Sequence, residues 1–396
     1  MKVLHVIPSI APVHGGASRA ILEMAKALQE QGVKAEIVTT NDNGSDLLDV
    51  PLQKRIEYEQ VPVWFFPRFS LPIASVRTFC FSSQLTTWLW RHIAEYDILH
   101  VYGIYSYVST LAMAIARIKH IPYIIRPQGQ LGEWALRQRT FKKQIYIGLI
   151  QRANLNCSRY VHFTSEQEQQ ETSKLNFNSA SFVLRNGLFI PPPIPEARYK
   201  LRQLLKVPQD EPVILFLSRL HPKKGLDYLI PALGKVANRR FTFVVAGSGS
   251  PEYEDTIDAL LVSAGIRDRT YRAGFVSGER KDLLLQGADL FALTSHSENF
   301  GIAVLEAMAA GKPVLATSGV ALASVVKQYQ LGYVAELDVE AISSAIEHCL
   351  IHPQEAAQMG ECARKLILEQ YTWSPIATKM IEIYTSILNQ QPIFKV

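Results

Sequence analysis

The sequence has the length and composition of an ordinary globular protein with two domains or one large one. Its 396 residues are 48% hydrophobic and 19% charged, and at about 150 residues per domain this length favours two domains. An apolar fraction near one half excludes a disordered chain, because it can bury enough surface to offset the entropy of folding. The 41 Lys and Arg against 36 Asp and Glu give a net charge of +5, which by itself indicates no nucleic-acid partner.

The cysteines and the apolar segments favour a cytoplasmic protein. Four cysteines, at positions 80, 157, 349 and 362, show no CxxC spacing, which argues against a zinc ribbon or a disulfide framework. The N-terminus lacks the long apolar core and the cleavage site of a signal peptide. The longest uncharged run, residues 101–116, is too short to span a bilayer.

In the first half of the chain, short β-branched runs alternate with longer helical patterns, which is typical of a parallel sheet covered by helices. One helix is predicted over residues 17–31, where apolar residues recur at helical spacing and Gly32 follows. The predicted strands cover residues 2–7, 35–40, 97–101, 123–125 and 160–164.

A proline-rich segment, residues 190–195, divides the chain, because successive prolines suit neither a helix nor a central strand. After it the alternation restarts, and a last helical pattern covers residues 374–388. The later strands are predicted over residues 213–217, 241–246, 271–275, 290–293 and 313–316. We therefore predict an α/β fold with domains over 1–190 and 191–374, and a C-terminal helical segment, 375–396, packing back on the first domain. Ligands commonly bind in the cleft between two such domains.

A glycine pair, Gly15 and Gly16, stands in the first turn from strand to helix. Backbone N–H groups at such a turn can approach an anion at the helix N-terminus. The segment is not G-x-G-x-x-G, so it does not support NAD binding. An ordinary glycine turn remains the alternative interpretation.

A basic loop follows the first strand of the second half, where open α/β sheets place ligand contacts. Arg219 and Lys224 in this loop can neutralise a diphosphate, the first as a bidentate fork and the second as a point charge. Taken alone, a solvated basic loop explains them as well.

Two acidic residues separated by seven others give the strongest signal in the sequence. Glu298 lies in a loop after the predicted strand 290–293, and Glu306 lies within the helix that Gly301 begins. A loop carboxylate can accept hydrogen bonds from sugar hydroxyls, and a helical one can hold a ribose diol. The N–H groups around Phe300, Gly301 and Ile302 would face a phosphate. The apolar neighbours of Glu306 argue against a simple solvated face.

Together these motifs resemble glycosyltransferase family 4, and the similarity covers nearly the whole chain. The resemblance implies the GT-B architecture, in which two Rossmann-like domains face each other across a deep cleft. It also implies a retaining transferase that uses a nucleotide sugar and no metal, in agreement with the lack of an Asp-x-Asp motif. Fixed cations and a helix N-terminus would stabilise the leaving diphosphate instead.

The resemblance assigns roles to individual residues. Arg219 and Lys224 would hold the diphosphate, and Glu298 would bind the transferred sugar; these three form the implied catalytic set. The implied donor-binding set comprises Gly16, Gly247, Val276, Asn299, Phe300, Gly301, Ile302 and Glu306. Of these, Glu306 would bind the ribose, and Gly247 and Val276 would lie near the nucleobase.

One segment of the first domain departs from the family pattern. Many relatives carry His or Arg before a glycine where this chain has Gln128, which can donate a hydrogen bond but adds no charge. Either Gln128 makes a neutral contact, or nearby Arg126 supplies the charge. His100 is a further candidate on this sugar or acceptor side, although a lone histidine there is more often structural.

A basic segment over residues 133–152 alternates cations with aromatic and aliphatic residues on a predicted helix. Such a helix suits an anionic membrane surface, and a half-buried domain helix with a charged outer face is the alternative. Nucleic-acid binding is disfavoured, since no recognised binding motif accompanies the segment. We expect a cytoplasmic protein that is peripheral on the inner membrane face.

These observations predict a glycosyltransferase that moves a sugar, with retention, to a saccharide or a lipid-linked acceptor in envelope or extracellular polysaccharide synthesis. A UDP-sugar is the favoured donor and a GDP-sugar the other candidate. Two rival functions remain: a nucleotide-sugar 2-epimerase of the same fold, and a non-catalytic binding subunit of a polysaccharide assembly.

Overall fold

A computed structural model describes residues 1–69, 77, 79–132, 135–136 and 146–393, and it divides the chain into two compact units. The first comprises Met1–Gly187 with Trp373–Val396, and the second comprises Leu188–Thr372. The sequence placed these boundaries at residues 190 and 374, two or three residues later. The boundary lies earlier because the segments by which the chain enters and leaves the second unit are paired through their backbones. Leu188 N–H donates to the carbonyl of Tyr371 over 2.8 Å, so the chain enters and leaves this unit side by side.

The first unit is built on an eight-stranded sheet of order β10-β9-β8-β7-β1-β2-β6-β5. All its pairs are parallel except β5 with β6, and β3 pairs with β4 in a separate ribbon. The strands are β1 Lys2–Val6, β2 Lys34–Thr40, β3 Asp42–Asn43, β4 Asp46–Leu47, β5 Arg55–Tyr58, β6 Val61–Phe66, β7 Ile98–Tyr102, β8 Tyr123–Arg126, β9 Tyr160–Phe163 and β10 Ser181–Val183. The helices before the boundary are α1 Gly16–Glu30, α2 Ser83–His92, α3 Tyr107–Ile118, α4 Arg152–Asn156 and α5 Glu166–Ser173.

The second unit has six parallel strands in the order β13-β12-β11-β14-β15-β16. Its strands are β11 Val213–Leu217, β12 Thr242–Ala246, β13 Thr270–Gly274, β14 Leu290–Leu293, β15 Val314–Thr317 and β16 Gly332–Ala335. Its helices are α6 Ala197–Leu205, α7 Leu226–Lys235, α8 Pro251–Ser263, α9 Gly278–Gly287, α10 Ile302–Ala309, α11 Ala323–Tyr329, α12 Val339–Ile351 and α13 Pro353–Gln370. This is the doubly wound arrangement, in which the strand order reverses beside β11 and ligands bind at the carboxyl ends of the strands.

The last helix, α14 Trp373–Leu388, returns to the first unit and packs against α1. Trp373 is 1% exposed, and its indole N–H donates to Glu23 Oε2 over 2.7 Å. Further along α14, the hydroxyl of Tyr384 lies 2.7 Å from His100 Nδ1 in the core. The contacts at both ends of the helix therefore join it to the first unit.

Most of the basic segment, residues 133–134 and 137–145, lies outside the described residues. Its described end forms a π-helical turn, Ile147–Gln151, that leads into α4. In the part of the chain that the structure describes, every helix is too short or too polar to cross a bilayer.

Candidate functional site

Two loops of the second unit meet at the carboxyl ends of β11 and β14, where the strand order reverses. Gly225 ends the first loop with a φ of 69°, and a Cβ there would lie only 1.8 Å from the carbonyl oxygen of Thr294. The Thr294 hydroxyl in turn donates to the Gly225 carbonyl over 2.8 Å, and His296 N–H donates to Lys223 O over 2.9 Å. Only glycine permits this approach, and the approach brings Lys224 and Glu298 to one place.

Lys224 and Glu298 form an ion pair through Nζ and Oε2. Their side chains are 12% and 22% exposed, respectively, so the pair is partly shielded from water. The backbone of Glu298 is fixed on both sides, because its N–H donates to Gly319 O over 2.8 Å and its carbonyl accepts from Ala321 N–H over 2.9 Å. The structure therefore joins two residues of the implied catalytic set that are 74 positions apart.

Arg219, near the start of the same loop, is exposed and, among the described residues, has no hydrogen-bond or ion-pair partner. Its backbone lies against the loop after β12, where a Cβ on Gly247 would come within 1.9 Å of Ser218 O. The next residue, Leu220, donates its N–H to Ser248 O over 2.9 Å. Gly247 thus lets the two loops touch and leaves the guanidinium of Arg219 available to an anion.

His221 completes the basic loop and was not singled out in the sequence. Burial lowers its pKa, and the nearby charges of Arg219, Lys224 and Lys223 lower it further. Its Nδ1 accepts a hydrogen bond from Lys223 N–H over 3.1 Å. The imidazole therefore caps the turn as a neutral ring and adds no charge to the loop.

The helix α10 begins directly after this loop, with Gly301 as its N-cap at a φ of 89°. The carbonyl of Gly301 accepts from Val304 and Leu305, so the helix starts at Ile302, one residue later than the sequence indicated. Phe300 is 5% exposed and belongs to the core, whereas Asn299 is half-buried. The free N–H groups of the first turn can face an anion.

Glu306 lies in the second turn of α10 and is paired with a residue that no sequence motif indicates. Lys281 Nζ, from α9, lies 2.6 Å from Glu306 Oε1. The side chains are 16% and 12% exposed. Val276, in the loop before α9, is 8% exposed. Because Lys281 and Glu306 are 25 positions apart, no local spacing pattern indicates this pair.

In the first unit, Gly16 is exposed as the first residue of α1. The residue before this glycine pair, His14, places Nε2 at 2.6 Å from Asp42 Oδ2. Burial raises the pKa of Asp42, but the hydrogen bond and charge of His14 and the charge of Arg68 outweigh burial and hold it below its usual range. A buried carboxylate thus fixes the turn that carries Gly16.

Gln128 follows β8 in the left-handed region, at a φ of 55°. Its side chain is half-buried and, in the described ranges, without a hydrogen-bond partner. Gly129 donates its N–H to Glu168 Oε1 over 2.6 Å, which fixes the loop. Arg126 is 4% exposed and donates through Nη2 to Asn186 Oδ1 over 2.5 Å. Gln128 is therefore presented by the loop, whereas Arg126 lies in the interior.

His100 is fully buried, and both ring nitrogens are engaged inside the unit. His162 Nε2–H donates to Leu184 O over 2.8 Å, so its neutral Nδ1 accepts from His100 Nε2–H over 3.2 Å. His100 Nδ1 then accepts from the Tyr384 hydroxyl. With no ring nitrogen left for a ligand, His100 is not placed to contact a sugar or an acceptor, contrary to the sequence-based hypothesis.

Over the described residues, no group of three or more His, Cys, Asp and Glu side chains is arranged to hold a metal ion. The loop after β11 places the positive charges of Arg219, Lys223 and Lys224 at the carboxyl edge of the second sheet.

Comparison with known proteins identifies the family. The sequence profile described as "Glycosyl transferases group 1" matches residues 198–366, and the one described as "Glycosyl transferase 4-like domain" matches residues 15–187. The chain belongs to glycosyltransferase family 4. This family 4 chain is 30% identical to a GDP-mannose-dependent alpha-(1-6)-phosphatidylinositol monomannoside mannosyltransferase of Mycolicibacterium smegmatis over 199 residues, which are 48% of this chain and 52% of the other. It spans about half the length of the curated relatives it matches.

Solved structures resemble the family 4 chain over nearly its full length. Sucrose-phosphate synthase from Thermosynechococcus elongatus gives a TM-score of 0.81 at 19% identity, covering 99% of this chain and 100% of the other. The Anabaena HepE protein in complex with UDP and glucose gives a TM-score of 0.79 at 21% identity, covering 98% of this chain and 100% of the other. At these identities the likeness concerns the fold. It confirms the predicted GT-B class, with two Rossmann-like α/β units.

Proposed function

We propose that this family 4 protein transfers a sugar from a nucleotide sugar to a saccharide or lipid-linked acceptor, with retention at the anomeric carbon. The observation that supports this most is the set of charged groups at the strand reversal of the second unit. An exposed arginine, a lysine–glutamate pair and a helix N-terminus lie together there. Such a set can hold a diphosphate and sugar hydroxyls at once.

The chemistry follows from the charge that develops as the bond between sugar and phosphate breaks. Negative charge grows on the diphosphate, and Arg219 and Lys224 would stabilise it there. Glu298 would accept hydrogen bonds from the sugar hydroxyls. Lys224 is paired with Glu298, so an arriving diphosphate competes for the Lys224 ammonium. For a retaining enzyme of this kind, we propose front-face attack, in which a donor phosphate oxygen takes the proton of the acceptor.

UDP is the donor nucleotide that we propose, with GDP as the competing candidate. The likeness to a structure that holds UDP and glucose supports UDP. The similarity to a GDP-mannose-dependent enzyme keeps GDP in the test. We further propose a role in envelope or extracellular polysaccharide synthesis.

For the first unit we propose contact with the inner membrane surface. The basic segment suggested this from the sequence, and three exposed rings add to it. Phe69, Phe79 and Phe81 are 52%, 37% and 37% exposed, and the rings of Phe69 and Phe81 lie 6.1 Å apart, edge to face. Exposed aromatic rings suit the headgroup region. Sedimentation with vesicles of anionic and of neutral lipids tests this proposal, and equal recovery in the supernatant with both would contradict it.

A nucleotide panel tests the proposed function most directly. We expect UDP, and more weakly GDP or ADP, to raise the melting temperature of the protein. Glu298→Gln removes the charge that pairs with Lys224, keeps the side-chain shape, and should reduce transfer from the matching nucleotide sugar by roughly 10- to 100-fold. Nuclear magnetic resonance of the product then gives its anomeric configuration. A protein that no nucleotide stabilises, or an epimerised sugar as the product, would refute the proposal.

A further inference from the structure

Each of the two acidic residues in the second unit is held by a lysine from a different element. Lys224 pairs with Glu298 and belongs to the proposed diphosphate loop. Lys281 pairs with Glu306 and has been given no role by the sequence or the family resemblance. We infer that Lys281 is a positioning residue that fixes the Glu306 carboxylate for the ribose diol of the donor nucleotide. This inference rests on the proposed function.

The pair is built into the packing between two helices. Lys281 stands in the first turns of α9, and α9 packs against α10, which carries Glu306. The neighbours Leu305 and Ala307 are fully buried, so the backbone of Glu306 is held by the core. Both charged side chains are more than four-fifths shielded from water. The contact therefore has a defined geometry, unlike most ion pairs on a protein surface.

A second lysine–glutamate pair of the same unit is exposed to solvent. Lys235 and Glu340 also join two helices, but their side chains are 49% and 70% exposed. Lys235 is the last residue of α7, and Glu340 is the second residue of α12. Because this pair is exposed and neither residue belongs to the proposed donor-binding set, it provides a matched control.

The consequence for ligand binding follows from the geometry of the carboxylate. Lys281 Nζ donates to Glu306 Oε1 over 2.6 Å. Glu306 Oε2 and a second lone pair of Oε1 remain as hydrogen-bond acceptors. A ribose diol offers two hydroxyl donors, and a carboxylate that is already oriented accepts them without losing further side-chain freedom. Loss of the Lys281 ammonium should thus weaken recognition of the ribose hydroxyls and leave contacts to the diphosphate and base intact.

Titration calorimetry on the full chain with UDP, GDP and ADP first identifies the nucleotide that binds. The Kd of that nucleotide is then compared with the Kd of its 2′-deoxy analogue. For the wild type we expect the ribonucleotide to bind about tenfold or more tightly than the deoxy form, because a hydrogen bond to a charged acceptor is lost. Lys281→Met should reduce this ratio to about threefold or less and raise the Kd of the ribonucleotide several-fold. Lys281→Arg should restore the ratio at least in part, and Lys235→Met should leave it unchanged.

Each outcome decides the question. If Lys281→Met keeps the melting temperature within a degree or two of Lys235→Met and keeps the full ribose ratio, the inference is wrong. Tighter binding by Lys281→Met would also refute it, because Lys281 would then compete with the ribose for Glu306. If the wild type binds none of the three nucleotides, the proposed function fails and this inference fails with it.

Discussion

Three buried histidines should make the first unit sensitive to mild acid. His5, His100 and His162 are each 0% exposed. The His100 ring contacts the other two, and its centroid lies 5.7 Å from that of His5 and 5.2 Å from that of His162. Burial, together with the charge of Arg126, lowers the pKa of His5 from 6.5 to about 3. Burial also brings the pKa of His100 and of His162 well below 6.5, and neighbouring charges add to this. Folding therefore keeps all three rings neutral.

The sign and size of the effect follow from proton linkage. Above pH 6.5 the histidines are neutral in both states, and the free energy of unfolding does not depend on them. As the pH falls below 6.5, only the unfolded chain takes up protons, so stability is lost. At pH 5 the loss is about 2 kcal/mol for His5, whose pKa in the folded protein is about 3, and His100 and His162 add to the loss in the same direction. A typical domain has a stability of about 5–15 kcal/mol, so the loss is a substantial part of the stability of the first unit.

Urea unfolding at a series of pH values from 8 to 5 measures this loss. The substitution His5→Phe removes one titrating ring while keeping an aromatic group beside His100 and Tyr102, and it should reduce the stability lost at pH 5 by about 2 kcal/mol. The same unfolding free energy at pH 7.5 and pH 5, to within about 1 kcal/mol, would refute the reasoning. So would native-state resonances of His100 or His162 that titrate near pH 6.5.

Three further predictions concern single features of the structure. Gly225→Ala should reduce the free energy of unfolding by about 2–5 kcal/mol and abolish nucleotide binding, because its Cβ would collide with Thr294 O. The control Gly265→Ala, at a φ of 68° with open space around it, should reduce it by only about 1–2 kcal/mol. Equal losses of the two variants in thermal unfolding would contradict the packing argument. Trp373→Phe removes the hydrogen bond to Glu23 and should reduce the free energy of unfolding by about 1–2 kcal/mol, which a melting curve detects. An unchanged curve would mean that this bond contributes nothing. Treatment with EDTA should leave nucleotide binding and sugar transfer unchanged, since fixed cations would stabilise the diphosphate; a loss that Mg²⁺ restores would contradict metal independence.

The sequence by itself determined the class of fold and most strands of the second unit. Two strands, β11 and β14, begin and end at the predicted residues, because fully buried parallel strands are continuous apolar runs bounded by turns. The edge hairpin of β5 and β6 was not predicted. Its two turn residues, Glu59 and Gln60, have φ values of 48° and 68°, a conformation that Asn-Gly ordinarily signals. Here the surrounding structure imposes that turn on residues without the preference.

The candidate site shows the same division between local pattern and tertiary structure. The spacing of Glu298 and Glu306 is local, so the sequence placed one in a loop and the other on a helix. The partners of these acids come from other elements of the unit, at positions 224 and 281. Only the strand order, which sets β11 beside β14 and α9 beside α10, brings them together. His100 follows the same rule: its position near a strand end is readable from the sequence, but its burial depends on His162 and on Tyr384 of the returning C-terminal helix.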